Sequence, residues 1–181
     1  LREHTKRAVD DTFNCISVDG DMSTNDTVLV LANGAAKNRL PRKGSKDSNR
    51  FGEALRHVML DLAKQLVRDG EGASKFIRVE VQGASSELDA KKVARAVAES
   101  SLVKCSWNGS DPNWGRVIDA VGYAGARVDE NKVDIYFGPL PAAINGKVAP
   151  APIGKLKAQV AKKEFTLRIN LNIGKGSHRV F

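Results

Sequence analysis

The segment Gly70-Glu71-Gly72-Ala73-Ser74-Lys75 combines an acid, a lysine and two glycines, residue types that could bind either a phosphate or a cation. Glycine loops with a lysine hold phosphates when they lead from a strand into the N-terminus of a helix. The order predicted here is the reverse, since a helix precedes the glycines and a strand follows them. The loop then meets the negative end of a helix dipole and carries a carboxylate, and both features disfavour phosphate.

Glu71 is the candidate functional residue of this loop. A helix that ends in glycine explains Gly70, but it does not explain a carboxylate between two glycines, which let the backbone approach another group closely. Such a carboxylate could pair with a substrate ammonium or position a reacting group. From spacing alone, a helix end followed by a turn without function is the alternative.

Two further polar stretches have structural interpretations. Residues 19–26 place oxygen-bearing side chains at alternate positions, as calcium loops do, but Thr24 and Val30 stand where such a loop needs glycine and glutamate. We therefore predict a hydrogen-bonded hairpin loop there. Residues 108–116 predict a tight turn that caps the next helix through Asp111 or Asn113, with Trp114 in the core.

The chain shows no nucleophile with an adjacent base. Its three histidines, His4, His57 and His178, are scattered, and none lies at metal-binding spacing with another ligand. No serine lies in a nucleophile elbow. If the chain belongs to an enzyme, we expect the nucleophile to lie outside these residues.

The elements that must position Glu71 follow from periodicity. Apolar residues at helical spacing predict a helix over residues 51–69 with a buried stripe; the stripe comprises Phe51, Ala54, Leu55, Val58, Leu62 and Leu66. Further helices are predicted over residues 1–12, 87–100 and 114–123, and a short basic helix is predicted between Pro152 and Phe165. Strands are predicted over 14–19, 28–32, 77–82, 102–107, 133–137 and 165–173. The first two strands would form a hairpin. Helices on a mostly antiparallel or mixed sheet, the α+β class, are expected.

Length and composition suit one soluble domain over residues 1–181, with 41% hydrophobic and 28% charged residues and no apolar run long enough to span a membrane.

Because the chain begins at Leu1, we expect it to be part of a longer or processed protein. Cys15 and Cys105 are expected to be buried free thiols. The net charge of +8 is concentrated in residues 37–50, which predict a solvated basic loop; a nucleic-acid surface is the alternative.

Three stretches occur together in an order that resembles the β chain of the ornithine acetyltransferase family, also called bifunctional arginine biosynthesis proteins. They are TFNCISVDGDMSTNDTVLVLANGAA, VRDGEGASKFIRVEV, and LVKC followed by GSDPNWGRVIDAVGY. The resemblance covers most of residues 1–137 and weakens over 138–181, and the basic loop 37–50 looks like an insertion. CISVDGDMSTND is most similar to the fungal members, which implies the mitochondrial matrix; a bacterial member would be cytoplasmic.

The resemblance implies an αββα sandwich similar to N-terminal nucleophile hydrolases, and a precursor that cleaves itself before a threonine. The α and β chains would stay together as a heterotetramer of two copies each. The new N-terminal threonine would take acetyl from N-acetylornithine and pass it to glutamate, with its α-amine as base. No cofactor or metal is expected, acetyl-CoA is a potential second donor, and neither a membrane nor a nucleic acid is an expected partner.

This chain departs from the family pattern at both ends. The threonine-methionine-leucine start of the β chain is missing, so we expect the catalytic threonine upstream of Leu1 and an inactive chain in isolation. The terminal segment with substrate-binding asparagine and threonine or serine is also missing after Phe181. Of the family's site residues only the substrate-binding glutamate maps here, onto Glu71. The alternatives are a basic, non-catalytic binding domain and a related aminopeptidase with a threonine nucleophile.

Overall fold

The computed structural model describes residues 1–181 as helices packed on one six-stranded sheet. The helices are α1 (Arg2–Asp11), α2 (Lys46–Arg68), α3 (Glu87–Glu99), α4 (Ser101–Asn108), α5 (Trp114–Gly122) and α6 (Ile153–Val160). The strands are β1 (Phe76–Ala84), β2 (Asp134–Phe137), β3 (Leu140–Ile144), β4 (Lys147–Val148), β5 (Glu164–Asn170) and β6 (Gly176–Val180). No helix is both long and apolar enough to cross a membrane.

The sheet is mixed, with the order β4-β3-β2-β5-β1-β6. β1 and β5 at its centre run parallel, and every other neighbouring pair is antiparallel. The predicted α+β class is therefore confirmed.

One face of the sheet forms the core. Along β1 the buried residues Ile77, Val79 and Val81 alternate with more exposed polar neighbours, as the sequence predicted. Helix α3 packs on this face and buries Val93 and Val97 completely. Each such side chain contributes about 1.5–3 kcal/mol by leaving water, so this layer anchors the fold.

Helix α2 buries a different stripe from the predicted one. Its buried apolar residues are Met59, Ala63 and Val67, whereas the predicted core residues Leu62 and Leu66 are 47% and 52% exposed. Phe51 and Val58 of the same stripe are also exposed, at 43% and 55%. Periodicity identifies an apolar face but not the surface that covers it. In this chain helix α1 packs on another side of α2. The helix also begins earlier than predicted, with Ser45 as its cap, so the basic loop ends there.

Three predicted strands are wrong. Residues 14–19 begin within a 3-10 helix, Phe13–Cys15, and continue as irregular chain. Residues 28–32 form no strand, so the predicted hairpin is absent. Residues 102–107 belong to α4, because the side chain of Ser100 accepts a hydrogen bond from the Val103 amide and starts a second helix directly after α3. Strand β6 and the strands within residues 139–152 were not predicted.

Local capping signals were predicted more reliably. Ser86 accepts a hydrogen bond from the Asp89 amide at the start of α3, and Asn113 does the same for Arg116 at the start of α5. Trp114 is half-buried and packs against the core cluster. Both cysteines are free, but only Cys15 is buried; Cys105 is exposed on α4, which corrects the prediction for that residue.

Candidate substrate-binding cleft

The loop that carries Glu71 begins where α2 ends. The amide of Asp69 donates to Gln65 O, and the amide of Ala73 closes a turn onto Gly70 O at 2.9 Å. Helix, turn and strand β1 therefore follow in the order that the sequence predicted. The negative end of the α2 dipole points toward the loop, which disfavours phosphate there.

The two glycines that flank Glu71 have different roles. A Cβ atom on Gly70 would lie 2.9 Å from Val18 Cγ1, so glycine lets the chain at Val18 pass close to the end of α2. Gly72 has φ +68 and nothing near its Cβ position, so it is needed for the left-handed turn and not for space. Together they present Glu71 at the tip of a tight turn.

Hydrogen bonds tie the far side of this loop to the rest of the fold. Lys75 Nζ donates to Ser110 Oγ at 3.0 Å and to Val160 O at 2.6 Å. Ser74 Oγ donates to Asn108 Oδ1 at 2.8 Å. The turn before α5 therefore holds the loop of Glu71, a function for residues 108–111 that the sequence did not reveal.

Glu71 lies at the edge of a cleft of about 270 Å³ between the loop, strand β1 and helix α4. Its carboxylate is exposed and makes no salt bridge or side-chain hydrogen bond. Residues that line the cleft beside it are Ser17, Val18, Lys75, Ile77, Lys104 and Trp107. A carboxylate without an internal partner, next to apolar side chains, suits an ammonium group on an aliphatic stem.

The two lysines of the cleft are held by the protein. Lys104 Nζ donates to Val18 O at 2.8 Å, and burial lowers the pKa of this amine despite the opposing effects of Asp19 and Glu99. Burial also lowers the pKa of Lys75. The cleft therefore places two lysine amines near the carboxylate of Glu71, so it offers groups for both ends of an amino acid.

Residues 19–26 form a loop held by side-chain hydrogen bonds, as predicted. Asp19 Oδ1 and Ser23 Oγ accept hydrogen bonds from the amides of Asp21 and Asp26, which makes residues 19–26 a capped loop, although no hairpin surrounds it. No group of three or more His, Cys, Asp or Glu side chains could hold a metal ion.

One contact was not predicted. Cys15 Sγ lies 3.8 Å from His178 Nε2 and donates to Asp10 O at 3.2 Å. Burial raises the pKa of the Cys15 thiol, and burial together with nearby cations lowers the pKa of His178. Both groups are therefore neutral near pH 7, so this pair lacks the thiolate that a cysteine nucleophile needs.

Comparison with known proteins decides the family, because the profile of the ArgJ family matches residues 1–181. The chain belongs to the ArgJ family. The "Arginine biosynthesis bifunctional protein ArgJ" of Geobacter sulfurreducens is 46% identical over 180 residues, which cover 97% of this chain and 45% of that protein. The protein of the same name from Caulobacter vibrioides is 45% identical over 172 residues, 94% of this chain and 43% of that protein.

A solved member shares the fold. The crystal structure of the arginine biosynthesis bifunctional protein ArgJ from Bacillus halodurans superimposes with a TM-score of 0.95 at 39% identity, over 99% of this chain and 85% of that chain. The expected fold, that of the ornithine acetyltransferase family, is therefore confirmed. The chain spans about half the length of the curated ArgJ relatives that it matches.

Proposed function

We propose that this chain is the β-chain part of an ornithine acetyltransferase, which moves acetyl from N-acetylornithine to glutamate in arginine biosynthesis. Membership of the ArgJ family over residues 1–181 carries the proposal. The names of the relatives from Geobacter and Caulobacter assign those proteins to arginine biosynthesis and call them bifunctional. On that ground the proposal includes acetyl-CoA as a second acetyl donor, with no other cofactor.

The proposed reaction has two acyl transfers. A threonine hydroxyl, supplied by polypeptide outside these 181 residues, attacks the acetyl carbonyl, and the amide C–N bond breaks as ornithine leaves with the proton. The amine of glutamate then attacks the threonine ester, which forms N-acetylglutamate and returns the hydroxyl. Such a covalent intermediate divides one difficult transfer into two easier steps.

Glu71 is the substrate-binding residue that this chain contributes. Its carboxylate has no internal partner, and its loop is fixed by Lys75 and Ser74 on one side and by the close approach of Val18 on the other. We assign it to the ammonium of the bound amino acid. The amine of Lys104, on the other side of the cleft, could donate to the carboxylate of the same molecule.

The proposed partner is an α chain from the same precursor, in a heterotetramer of two α and two β chains. The length of the relatives supports further polypeptide, since this chain corresponds to 45% of the Geobacter protein. For localisation we propose the cytoplasm for a bacterial source, since the relatives named above are bacterial, and the mitochondrial matrix for a fungal source.

The test measures acetyl transfer from N-acetylornithine to glutamate by the complete protein and by its Glu71→Gln variant. The amide keeps the size of the side chain but loses the charge, so we expect kcat/KM for N-acetylornithine to fall about 10- to 100-fold with circular dichroism unchanged. Glu130→Gln is the matched control, because Glu130 is also an exposed glutamate without a side-chain hydrogen bond.

Turnover of Glu71→Gln at the wild-type rate would remove Glu71 from the site. No transfer by the folded, complete wild-type protein would instead contradict the substrate assignment, and hydrolysis of peptides by the same sample would then support the aminopeptidase. Salt-dependent binding of DNA that is lost on neutralising Lys37, Arg39 and Arg42 would support the basic-domain alternative.

A further inference from the structure

Residues 27–32, Thr-Val-Leu-Val-Leu-Ala, have the composition of a strand that is buried on both sides. Four consecutive residues are Val or Leu, and such continuous β-branched and aliphatic runs are typical of strands covered on both faces. Successive side chains of a strand point in opposite directions, so Val28 and Val30 would lie on one face and Leu29 and Leu31 on the other.

In this chain the segment is neither paired nor covered. No backbone amide or carbonyl of residues 28–32 takes part in a hydrogen bond, and the segment belongs to no helix or strand. Leu29 is 77% exposed and Leu31 is 91% exposed, while Val28 is 37% exposed. A run of unpaired backbone groups beside exposed leucines is a template for strand pairing.

Both ends of the segment are bounded as the ends of a strand are. Before it, Ser23 Oγ accepts from the amide of Asp26 at 2.8 Å. After it, Asn33 Oδ1 accepts from the amide of Ala35 at 3.0 Å, and Gly34 takes the left-handed conformation, φ +72. The chain therefore turns on either side of an uninterrupted apolar run of strand length.

We infer that residues 27–32 pair as a β-strand with a strand from the part of the protein outside these 181 residues, through backbone hydrogen bonds and an apolar contact on Leu29 and Leu31. The relatives provide the polypeptide for it, since more than half of the length of the Geobacter protein lies outside the match to this chain. The structural match covers almost all of this chain, so the residues around the segment follow the family fold. Added strands of this kind gain affinity from main-chain hydrogen bonds and specificity from alternate side chains.

The exposed stripe of α2 is a second apolar surface but carries no separate proposal. Nothing in the structure shows what covers Phe51, Val58 and Leu62. The 27–32 segment differs from this stripe, because its unpaired backbone groups specify a strand and not merely any apolar partner.

The test is amide hydrogen exchange on the complete protein and on this chain alone. In the complete protein we expect the amides of residues 28–32 to exchange at least about 100-fold more slowly than in an unstructured peptide, because paired amides must open before they exchange. In the isolated chain they should exchange at the unstructured rate. Fast exchange of these amides in the complete protein would overturn the inference.

A pair of substitutions separates strand pairing from general surface effects. Leu31→Asp should lower the recovery of the assembled complete protein at least about 10-fold, since a desolvated carboxylate would lie in the apolar contact. Leu40→Asp is the control, because Leu40 is 87% exposed and lies in the basic loop. Equal recovery of the two variants would contradict the inference. Protection that appears in the isolated chain as its concentration rises, together with a dimer in sedimentation, would also overturn it in favour of self-association.

The inference depends on the proposed association with further polypeptide and not on acetyl transfer. Exchange protection can be measured whether or not the assembled protein is active. Exchange protection without acetyl transfer would therefore reject the substrate assignment and keep the strand pairing. Acetyl transfer without exchange protection would keep the substrate assignment and reject the strand pairing.

Discussion

Lys75 Nζ lies 3.0 Å from Ser110 Oγ, so the residue after the glycine loop is fastened to the turn before α5. The same amine donates to Val160 O at the end of α6. Three segments distant in sequence therefore meet at one side chain, and this contact determines where Glu71 lies.

Lys75→Met should weaken substrate binding through the position of Glu71. The variant keeps the aliphatic stem but loses both hydrogen bonds, so we expect KM for N-acetylornithine to rise several-fold with a smaller change in kcat, and the free energy of unfolding to fall by about 1–2 kcal/mol. Steady-state kinetics of the complete protein and urea unfolding measure the two effects. Lys163→Met, at an exposed lysine without a side-chain hydrogen bond, should change neither. A drop in kcat alone would contradict a positioning function for Lys75.

The stability of the fold should decrease as the pH falls below about 6.5, the ordinary pKa of histidine. Burial lowers the pKa of His178, and Lys91, Arg95 and Arg179 add to this, while Asp11 opposes it. The folded state therefore binds this proton less tightly than the unfolded state does. The stabilisation is complete above the unfolded pKa and is lost as the pH falls through the lower, folded pKa.

Urea unfolding at several pH values between 5 and 8 tests this assignment. His178→Gln should reduce the dependence of the unfolding free energy on pH in this range. His57→Gln, at an exposed histidine of α2, should leave the dependence as in the wild type. An unchanged slope in His178→Gln would assign the acid sensitivity to other groups.

Two neighbouring substitutions on α2 distinguish its observed core face from the predicted one. Met59 is 3% exposed and Leu62 is 47% exposed. Met59→Gln should lower the free energy of unfolding of this chain by about 2–4 kcal/mol, because it leaves a buried amide without partners. Leu62→Gln should change it by no more than about 0.5 kcal/mol. Similar losses in both variants would mean that the stripe containing Leu62 is covered in solution.

The two thiols should react at different rates with a neutral thiol reagent. Cys105 is exposed, whereas Cys15 is buried, donates to Asp10 O and has a raised pKa because of its burial and the nearby Asp11. One thiol per chain should therefore react quickly in the native protein at pH 7.5, and two in guanidinium chloride. Mass spectrometry of the labelled peptides identifies the site. Rapid labelling of Cys15 would show that residues 13–17 detach readily.

Sequence patterns predicted several of the elements whose partners lie in this chain. Strand β1 alternates as expected because helix α3 covers one of its faces, and Ser86 and Asn113 cap the helices that they precede. Glu71 was predicted as a candidate from the local pattern of a carboxylate between two glycines, and its substrate-binding role from the family resemblance; that role stays a prediction. Its structural supports could not be found in this way, because Ser110 and Val160 are distant in sequence and no periodicity links them to Lys75.

Two of the wrong predictions share a physical cause. Residues 28–32 have the composition of a buried strand, and the predicted stripe of α2 has the period of a buried helix face, yet both are exposed. An apolar composition predicts burial but does not say which surface covers the segment. Within these 181 residues no apolar surface covers either segment. The strand predicted at residues 102–107 failed for a different reason, because the cap of Ser100 lets a short helix follow directly on α3.

The parallel pair at the centre of the sheet has a consequence for how the protein is made. Strand β1 ends at Ala84, but its neighbour β5 begins only at Glu164, near the end of the chain. During synthesis, β1 therefore leaves the ribosome long before its parallel neighbour β5 has been made. Until the two strands pair, the apolar side chains of Ile77, Val79 and Val81 cannot be buried in the centre of the sheet. Pairing over such a distance slows folding and prolongs the exposure of apolar strands. Chaperone supply and growth temperature should therefore affect the yield of soluble protein more than its equilibrium stability would suggest.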